Sequence, residues 1–454
     1  MTEAQTPTPT RPRRGDELEL SIDALAFGGA GVARHDGYVV FVAGTVPGDR
    51  VRAQIAKSKR TYGEARLLEV LSPGAQRIAP LADHPGAPWQ VLPYERQLEV
   101  KQEQVDDALR RIGRLEGYAL DTIVPAVAPW RYRNKLEYSF GRADGRLVCG
   151  FHAPGHWEDI VEVRDCLLAS DVGNAARERV VAWCREQGLS PYDRRSGEGF
   201  LRNLVVREGR RTGQLQVRLV TSPGSLDADG LVQAAGGVDG VLWTRIAGVG
   251  ETTQGGETEL LAGSDRIEEQ IGGLQVRIAP QAFFQTNTEM AEALYGLAIE
   301  SADLHGTERV YDLYCGIGTI GLMMAPRAAQ VWGLDIVPEA IADAIAGARA
   351  NEVDNARFFA GDVRLALREL VSTAGRPDVL VLDPPRAGLS QKVVRRVIEA
   401  GPRRIVYVSC NPTTLAPNAA QLVADGGYRL TRVRPVDMFP QTPHIECVAV
   451  LERA

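Results

Sequence analysis

The run IVYVSCNPTTLAPN at 405–418 ends an apolar, strand-like stretch on Cys410, and Asn411 and Pro412 stop the strand there. A cysteine in an apolar strand is ordinarily a small buried hydrophobe. At a strand end, beside a proton acceptor, a cysteine is instead a nucleophile able to add to an electron-poor carbon. PHIECVAVL supplies an acceptor in Glu446, which opens the last apolar run. His444 ranks second, because a histidine in the turn before a strand is more often structural. Cys315 and Cys447 keep the buried reading, one in a glycine turn and the other inside a strand. Four more acids, Asp312, Asp335, Asp362 and Asp383, each close a consecutive apolar run. In a parallel α/β sheet such ends converge on the edge where ligands bind. Helix capping explains any one of these acids, but not all four together with a glycine turn.

That turn lies in VYDLYCGIGTIGLMMA (310–325), where Gly316 and Gly318 let a ligand come close to backbone. Asp335, at the next strand end, suits a pair of ribose hydroxyls, and Asp362 in ARFFAGDVR suits an adenine amine. A dinucleotide fold is the rival. Gly321 lacks a phosphate-cradling pattern before it, so a ligand without phosphates, S-adenosylmethionine, fits better. In PDVLVLDPPRAGL, Arg386 stands where methylation of an exocyclic amine would need a stacking ring. Carbon methylation has other needs. C5 of uracil becomes enolate-like once a thiolate adds to C6, and a base must later remove the C5 proton. Cys410 and Glu446 meet those two needs.

These groups must be carried by larger elements, and 454 residues are too many for one ordinary core. From 276 onward strands and helices alternate, which predicts a Rossmann-like, doubly wound α/β domain over 276–454. Strand-length runs with turns between them over 15–73 predict an OB-like β-barrel. Within it, DRVRAQIAKSKRTYGEAR (49–66) would present a basic strand face, or an ordinary solvated one. A linker helix over 94–120 and a central α+β domain, with one helix near 170–188, fill 74–275. Residues 1–14 read as a disordered tail without a secretory core. No apolar run reaches the roughly 20 residues of a membrane helix, and six scattered cysteines form no CxxC pair. The expectation is a multidomain cytoplasmic protein, with no membrane association and no metal. A net charge of −6 leaves nucleic acid to be argued from charge distribution.

QAFFQTN (281–287), DLYCGIGTIGL, LDPPRAGL, SCNPTTLAPN and PHIECVAVL together resemble the S-adenosylmethionine-dependent RNA uridine C5-methyltransferases, in that family's order and over nearly the whole chain. The resemblance implies Cys410 as nucleophile and Glu446 as base. It implies Gln285, Tyr314, Gly316, Gly318, Thr319, Asp335, Asp362 and Asp383 as cofactor-binding positions. Asp335 replaces a more usual Glu, and Thr319 a common Asn. Phe283 is a candidate to contact the flipped base and Arg386 a further substrate-binding candidate. Residues 15–73 look like a TRAM domain, through FGGAGVAR, VVFVAGTVPGD and VRAQIAKSKRTYGEA. TRAM-bearing relatives typically act on ribosomal RNA, so the expected substrate is 23S ribosomal RNA and the expected state a monomer. A transfer-RNA T-loop uridine, or an RNA-binding protein without catalysis, are the alternatives. Cytosine C5 is a third, although such enzymes usually carry a cysteine where this chain has DPPR. Many relatives hold an iron–sulfur cluster with four cysteines. Here Cys166 matches only the fourth position, so no cluster is expected.

Overall fold

The computed structural model describes residues 11–453, and the chain divides into two compact units. One comprises residues up to Gln104 together with Phe439–His444; the other comprises Val105–Met438 and the segment from Ile445 onward. The first ten residues of the expected tail lie outside the described residues. Arg11 donates from Nε to Ser58 Oγ at 2.8 Å.

In the first unit, strands Glu17–Leu25, Gly31–His35, Tyr38–Val42, Arg50–Ser58 and Tyr62–Ser72 close into a barrel. Alternation builds its core: Leu20, Ile22, Val40, Val42, Val51 and Ile55 are buried while their neighbours point outward. Closure leaves no open sheet edge. The basic strand does not present a purely basic face. Arg50 pairs with Glu19 at 2.6 Å, Lys57 with Glu64 at 2.8 Å, and Arg52 with Glu69. The acids come from the flanking strands, which a single-strand reading does not register.

The second unit holds two large sheets. A seven-stranded sheet runs Glu257–Gly263, Gly240–Arg245, Leu215–Thr221, Leu201–Glu208, Lys135–Ala143, Arg146–Ala153, His156–Glu162. Helix Asp171–Glu186, capped by the Ser170 hydroxyl on Gly173 N–H, accompanies it. The eight-stranded sheet runs Ala356–Ala360, Gln330–Asp335, Arg309–Leu313, Val379–Leu382, Arg404–Ser409, Glu446–Arg453, Tyr428–Val436, Ala119–Leu120. The first five of these strands are parallel to one another, and apolar along nearly their whole length because helices cover the sheet. Strand order reverses between Arg309–Leu313 and Val379–Leu382, the switch point at which ligands bind in such sheets. The final strand inserts antiparallel between Arg404–Ser409 and Tyr428–Val436.

The linker helix is shorter than its charge pattern suggests. Helix Tyr94–Asp107 passes into a π-helical turn, Ala108–Ile112, and stops at Gly113. Arg114 then adopts φ +52°, which no helix accommodates, and Ala119–Leu120 pairs with Arg432–Val433 at the sheet edge. Sequence spacing cannot show that partner, which lies some three hundred residues away.

Candidate active site

Asp312 lies one residue from the end of its strand, fully buried. Its Oδ2 accepts from Gly321 N–H at 2.9 Å, while Oδ1 has no partner. Burial raises this carboxyl to about 7, with Asp335 adding to the push. After the strand the chain turns sharply. Tyr314 is at φ +64°, a costly conformation for an aromatic residue, and donates its N–H to Leu334 O at 2.8 Å. Gly316 and Gly318 follow at φ +54° and +78°. A Cβ on Gly318 would stand 2.7 Å from Phe358 Cε1, whereas one on Gly316 would meet nothing within 4 Å. Gly318 is thus needed for packing, and Gly316 leaves open space at the turn. Thr319, buried, begins the helix that follows.

Asp335 accepts from Gly316 N–H and from Val337 N–H, both at 2.9 Å, which ties the second strand end to the glycine turn. Asp362 caps helix Val363–Ala374 through Arg364 N–H at 2.9 Å and faces the Arg364 guanidinium. That cation holds its carboxyl below the ordinary range. Loss of solvation, then Asp312, raises Asp383 to about 7.

Register brings Cys410 and Glu446 together. The antiparallel ladder ends with Ser409 paired to Cys447, so Cys410 and Glu446 are the adjacent residues at that end, close enough for Glu446 to act on the Cys410 thiol. Asn411 then caps helix Pro412–Gly426 by accepting from Thr413 N–H at 3.0 Å, and its amide donates to Arg386 O at 3.0 Å. Glu446 is 4% exposed. Burial, then Asp383, holds its carboxyl well above the ordinary range, with Arg386 pulling the other way. The Cys410 thiol is pushed up to about 11 by burial, then by Glu446 and Asp383, again opposed by Arg386.

Gln285 is buried, its backbone carbonyl accepts from Asn134 Nδ2 at 2.8 Å, and its side chain lies near the Tyr295 hydroxyl, whose pKa it pulls down. Phe283, two residues away, is 74% exposed. Tyr295 was not legible as a site residue. It continues the apolar stripe Ala291, Leu294, Ala298 of helix Thr288–Ala302 and reads as core. In the fold its hydroxyl feels Asp383, Glu446 and Asp312, and burial drives its pKa well up. His444 falls in the first unit, its ring edge-on to Phe439 at 5.9 Å. Cys447, Cys149, Cys166 and Cys184 are buried, and all six cysteines are free thiols. Among the described residues no group of three or more His, Cys, Asp or Glu is placed to hold a metal ion.

A doubly wound sheet with acids at its switch point and a glycine turn without a phosphate cradle defines a methyltransferase of the S-adenosylmethionine type. The orphan Asp312 Oδ1, the space at Gly316 and a set of acids opposed by Arg386 suit a cationic ligand lacking phosphate. Comparison with known proteins agrees. The family model for tRNA (uracil-5-)-methyltransferases matches residues 260–454, and that for the TRAM domain matches residues 11–68. An RNA methyltransferase of Halalkalibacterium halodurans is 36% identical, covering 100% of this chain and 99% of its own. Another, of Gloeobacter violaceus, is 40% identical over 97% of each chain. The crystal structure of the Pyrococcus abyssi tRNA (uracil-54, C5)-methyltransferase with S-adenosyl-L-homocysteine superposes with a TM-score of 0.79. It is 29% identical and covers 96% of this chain and 100% of that one. The chain belongs to the tRNA (uracil-5-)-methyltransferase family of RNA methyltransferases and carries an N-terminal TRAM domain. S-adenosylmethionine is its methyl donor. Among the described residues no helix is long and apolar enough to cross a membrane.

Proposed function

We propose that this chain methylates C5 of a uridine in 23S ribosomal RNA, acting as a monomer in the cytoplasm, with Cys410 as nucleophile and Glu446 as base. The observation that supports the reading is the ladder that ends with Ser409 opposite Cys447, with Cys410 and Glu446 next to that pair and Asp383 near enough to act on both. S-adenosylmethionine supplies an electrophilic methyl group. Gly316, Gly318, Asp335, Asp362, Thr319, Tyr314, Gln285 and Asp383 would hold it.

The chain's own residues divide the remaining work. Cys410 Sγ, a thiol at rest, loses its proton to solvent, and the thiolate bonds C6 of the uracil as the C5–C6 π electrons shift toward C5 and O4. The thiolate released at the end of the cycle takes a proton back from solvent. Once C5 carries the new methyl, Glu446 takes the C5 proton and the C6–S bond breaks, returning the thiolate. A buried carboxylate with a raised pKa is a strong base for that step. Arg386 is the cation that favours both the thiolate and the ionised Glu446. Phe283, exposed beside the site segment, would stack on the uracil once it is unpaired from its RNA.

The test is incubation with RNA carrying 5-fluorouridine and the methyl donor. Fluorine cannot leave as a proton, so the adduct should persist on Cys410. No Cys410-dependent covalent complex with an RNA shown to bind would overturn the mechanism. A transfer-RNA T-loop uridine is the second reading, favoured by likeness to the Pyrococcus abyssi enzyme. Mapping of 5-methyluridine in a strain lacking this gene decides between them: loss from ribosomal RNA supports the first, loss from the T-loop the second.

A further inference from the structure

The seven-stranded sheet has two unlike faces. Side chains alternate along a strand, so the ladder register sorts them. Leu136, Tyr138, Leu204, Val206, Val217 and Leu219 share one face and are buried; Lys135, Glu137, Arg207 and Arg218 share the other. Arg207 and Arg218 are 4% and 1% exposed. Arg207 donates from Nη2 to Ala282 O at 3.0 Å and Arg218 from Nη1 to Thr253 O at 2.9 Å. Arg207 Nη1 and Arg218 Nη2, both buried, have no partner.

Glu137 is the acid in this cluster. It lies 2.5 Å from Lys135 Nζ and accepts from Thr253 Oγ1 at 2.8 Å. Three cations against one carboxylate leave two positive charges in a desolvated place. Burial, then Arg218, pushes Arg207 down to about 10, and burial, then Arg207, lowers Lys135. Buried charge of one sign is stable when a counter-charge arrives. The carboxylate of the cluster reaches solvent, since the Glu137 side chain is 37% exposed.

We propose that Lys135, Arg207 and Arg218 form a phosphate-binding site for a phosphodiester of the substrate RNA, with Glu137 holding the anion's place until RNA displaces it. Two guanidinium groups with unused N–H donors match phosphate oxygens. The location fits a phosphate near the target nucleotide: Arg207 holds Ala282, next to Phe283, and Asn134, next to Lys135, holds Gln285. The inference rests on the RNA uridine reading above.

The test uses the full chain. Thermal unfolding is followed in inorganic phosphate against chloride at equal ionic strength. Binding of a single-stranded RNA that contains the target uridine is measured across a salt series. Phosphate should raise the wild-type unfolding temperature, and Arg218→Met should abolish that rise. Lys135→Gln should weaken RNA binding roughly tenfold and reduce the slope of log K against log salt by about 0.7. Glu137→Gln, which removes the competing carboxylate, should bind both phosphate and RNA several-fold tighter, a gain that misfolding cannot produce. Wild type indifferent to phosphate, together with Glu137→Gln no tighter than wild type, would overturn the site. Phosphate binding with unchanged RNA affinity in Lys135→Gln would overturn the RNA assignment in favour of a free phosphate. The 5-fluorouridine adduct on Cys410 is read separately, in wild type. The loss of that adduct in wild type strikes the uridine reading and not this one.

Discussion

The second unit holds two desolvated clusters, each of one sign of charge and opposite to the other in sign. At the edge of the eight-stranded sheet Asp312, Asp383 and Glu446 are acids whose pKa values burial drives upward. On the polar face of the seven-stranded sheet Lys135, Arg207 and Arg218 are cations whose pKa values burial drives downward. Each cluster is expensive alone and complementary to one half of the reaction: the acids to a cationic methyl donor, the cations to a polyanionic acceptor. The difference lies in how each copes while empty. Asp312 and Asp383 can take up protons near neutrality, whereas arginines keep their charge and need a borrowed carboxylate, Glu137.

The largest effect should come from the acid edge. Cys410→Ala should lower turnover by at least about 10⁴-fold, because no other group supplies the C6 bond. Gel-shift or filter binding of RNA should stay within a few-fold of wild type, which separates chemistry from recognition. If Cys410→Ala kept a tenth of the activity, the edge would be a cofactor site with its nucleophile elsewhere.

Glu446→Gln should slow turnover by roughly 10²- to 10⁴-fold while letting an adduct with ordinary RNA build up. Denaturing electrophoresis of labelled RNA reads that directly. Turnover at the parental rate would remove Glu446 from the mechanism.

The next effect is on stability, and its sign distinguishes the clusters. Asp312 and Asp383 ordinarily titrate near 3.8 and are raised to about 7 in the fold. Between those values the folded chain binds more protons than the unfolded chain, so stability is full below about 4 and falls as pH rises through about 7. Denaturant melts of cofactor-free protein from pH 5 to 8 should therefore show declining stability. Asp312→Asn should flatten the decline and stabilise the protein at pH 8 by an amount on the order of 1–3 kcal/mol. A rise in stability over the same range would mean that these carboxyls are ionised in the fold, and the contrast between the clusters would fail.

Which of these parts could be read from the chain follows from how local each one is. The strand-end acids, the glycine turn and the SCNP strand end are written in contiguous runs, since each is a few residues at the end of an apolar stretch. The place of Glu446 was legible because a hairpin-like return after 430 would lay the last strand beside the 405–410 strand, and the two strands do pair antiparallel. Tyr295 was hidden because its helical spacing is that of core, and only tertiary packing turns its hydroxyl toward the acids. Arg207 and Arg218 were hidden for the opposite reason. In alternating strands each looks like an outward, solvated arginine, and their burial depends on Thr253 and Ala282 in loops far along the chain. The outward cations of the barrel strand were misleading in the same way, since flanking strands neutralise them.

The smallest predicted effect sharpens the cationic side. Arg207 is lowered from 12.5 only to about 10, so its titration lies above any useful pH and a pH series is silent about it. Removing the charge is the informative change. In a cofactor-free, phosphate-free buffer, Arg207→Met deletes one uncompensated buried cation and keeps most of its volume. It gives up one hydrogen bond to Ala282 O, a cost of about 1 kcal/mol. Replacing desolvated charge by an apolar side chain returns about 1–4 kcal/mol. The net expectation is a gain near 1 kcal/mol, or an unfolding temperature roughly 1–2 °C higher. Adding phosphate should reverse the order, because only the wild type then has its counter-charge. A variant less stable than wild type in both buffers would mean that Arg207 holds Ala282 for structure alone, and the two clusters would not be counterparts.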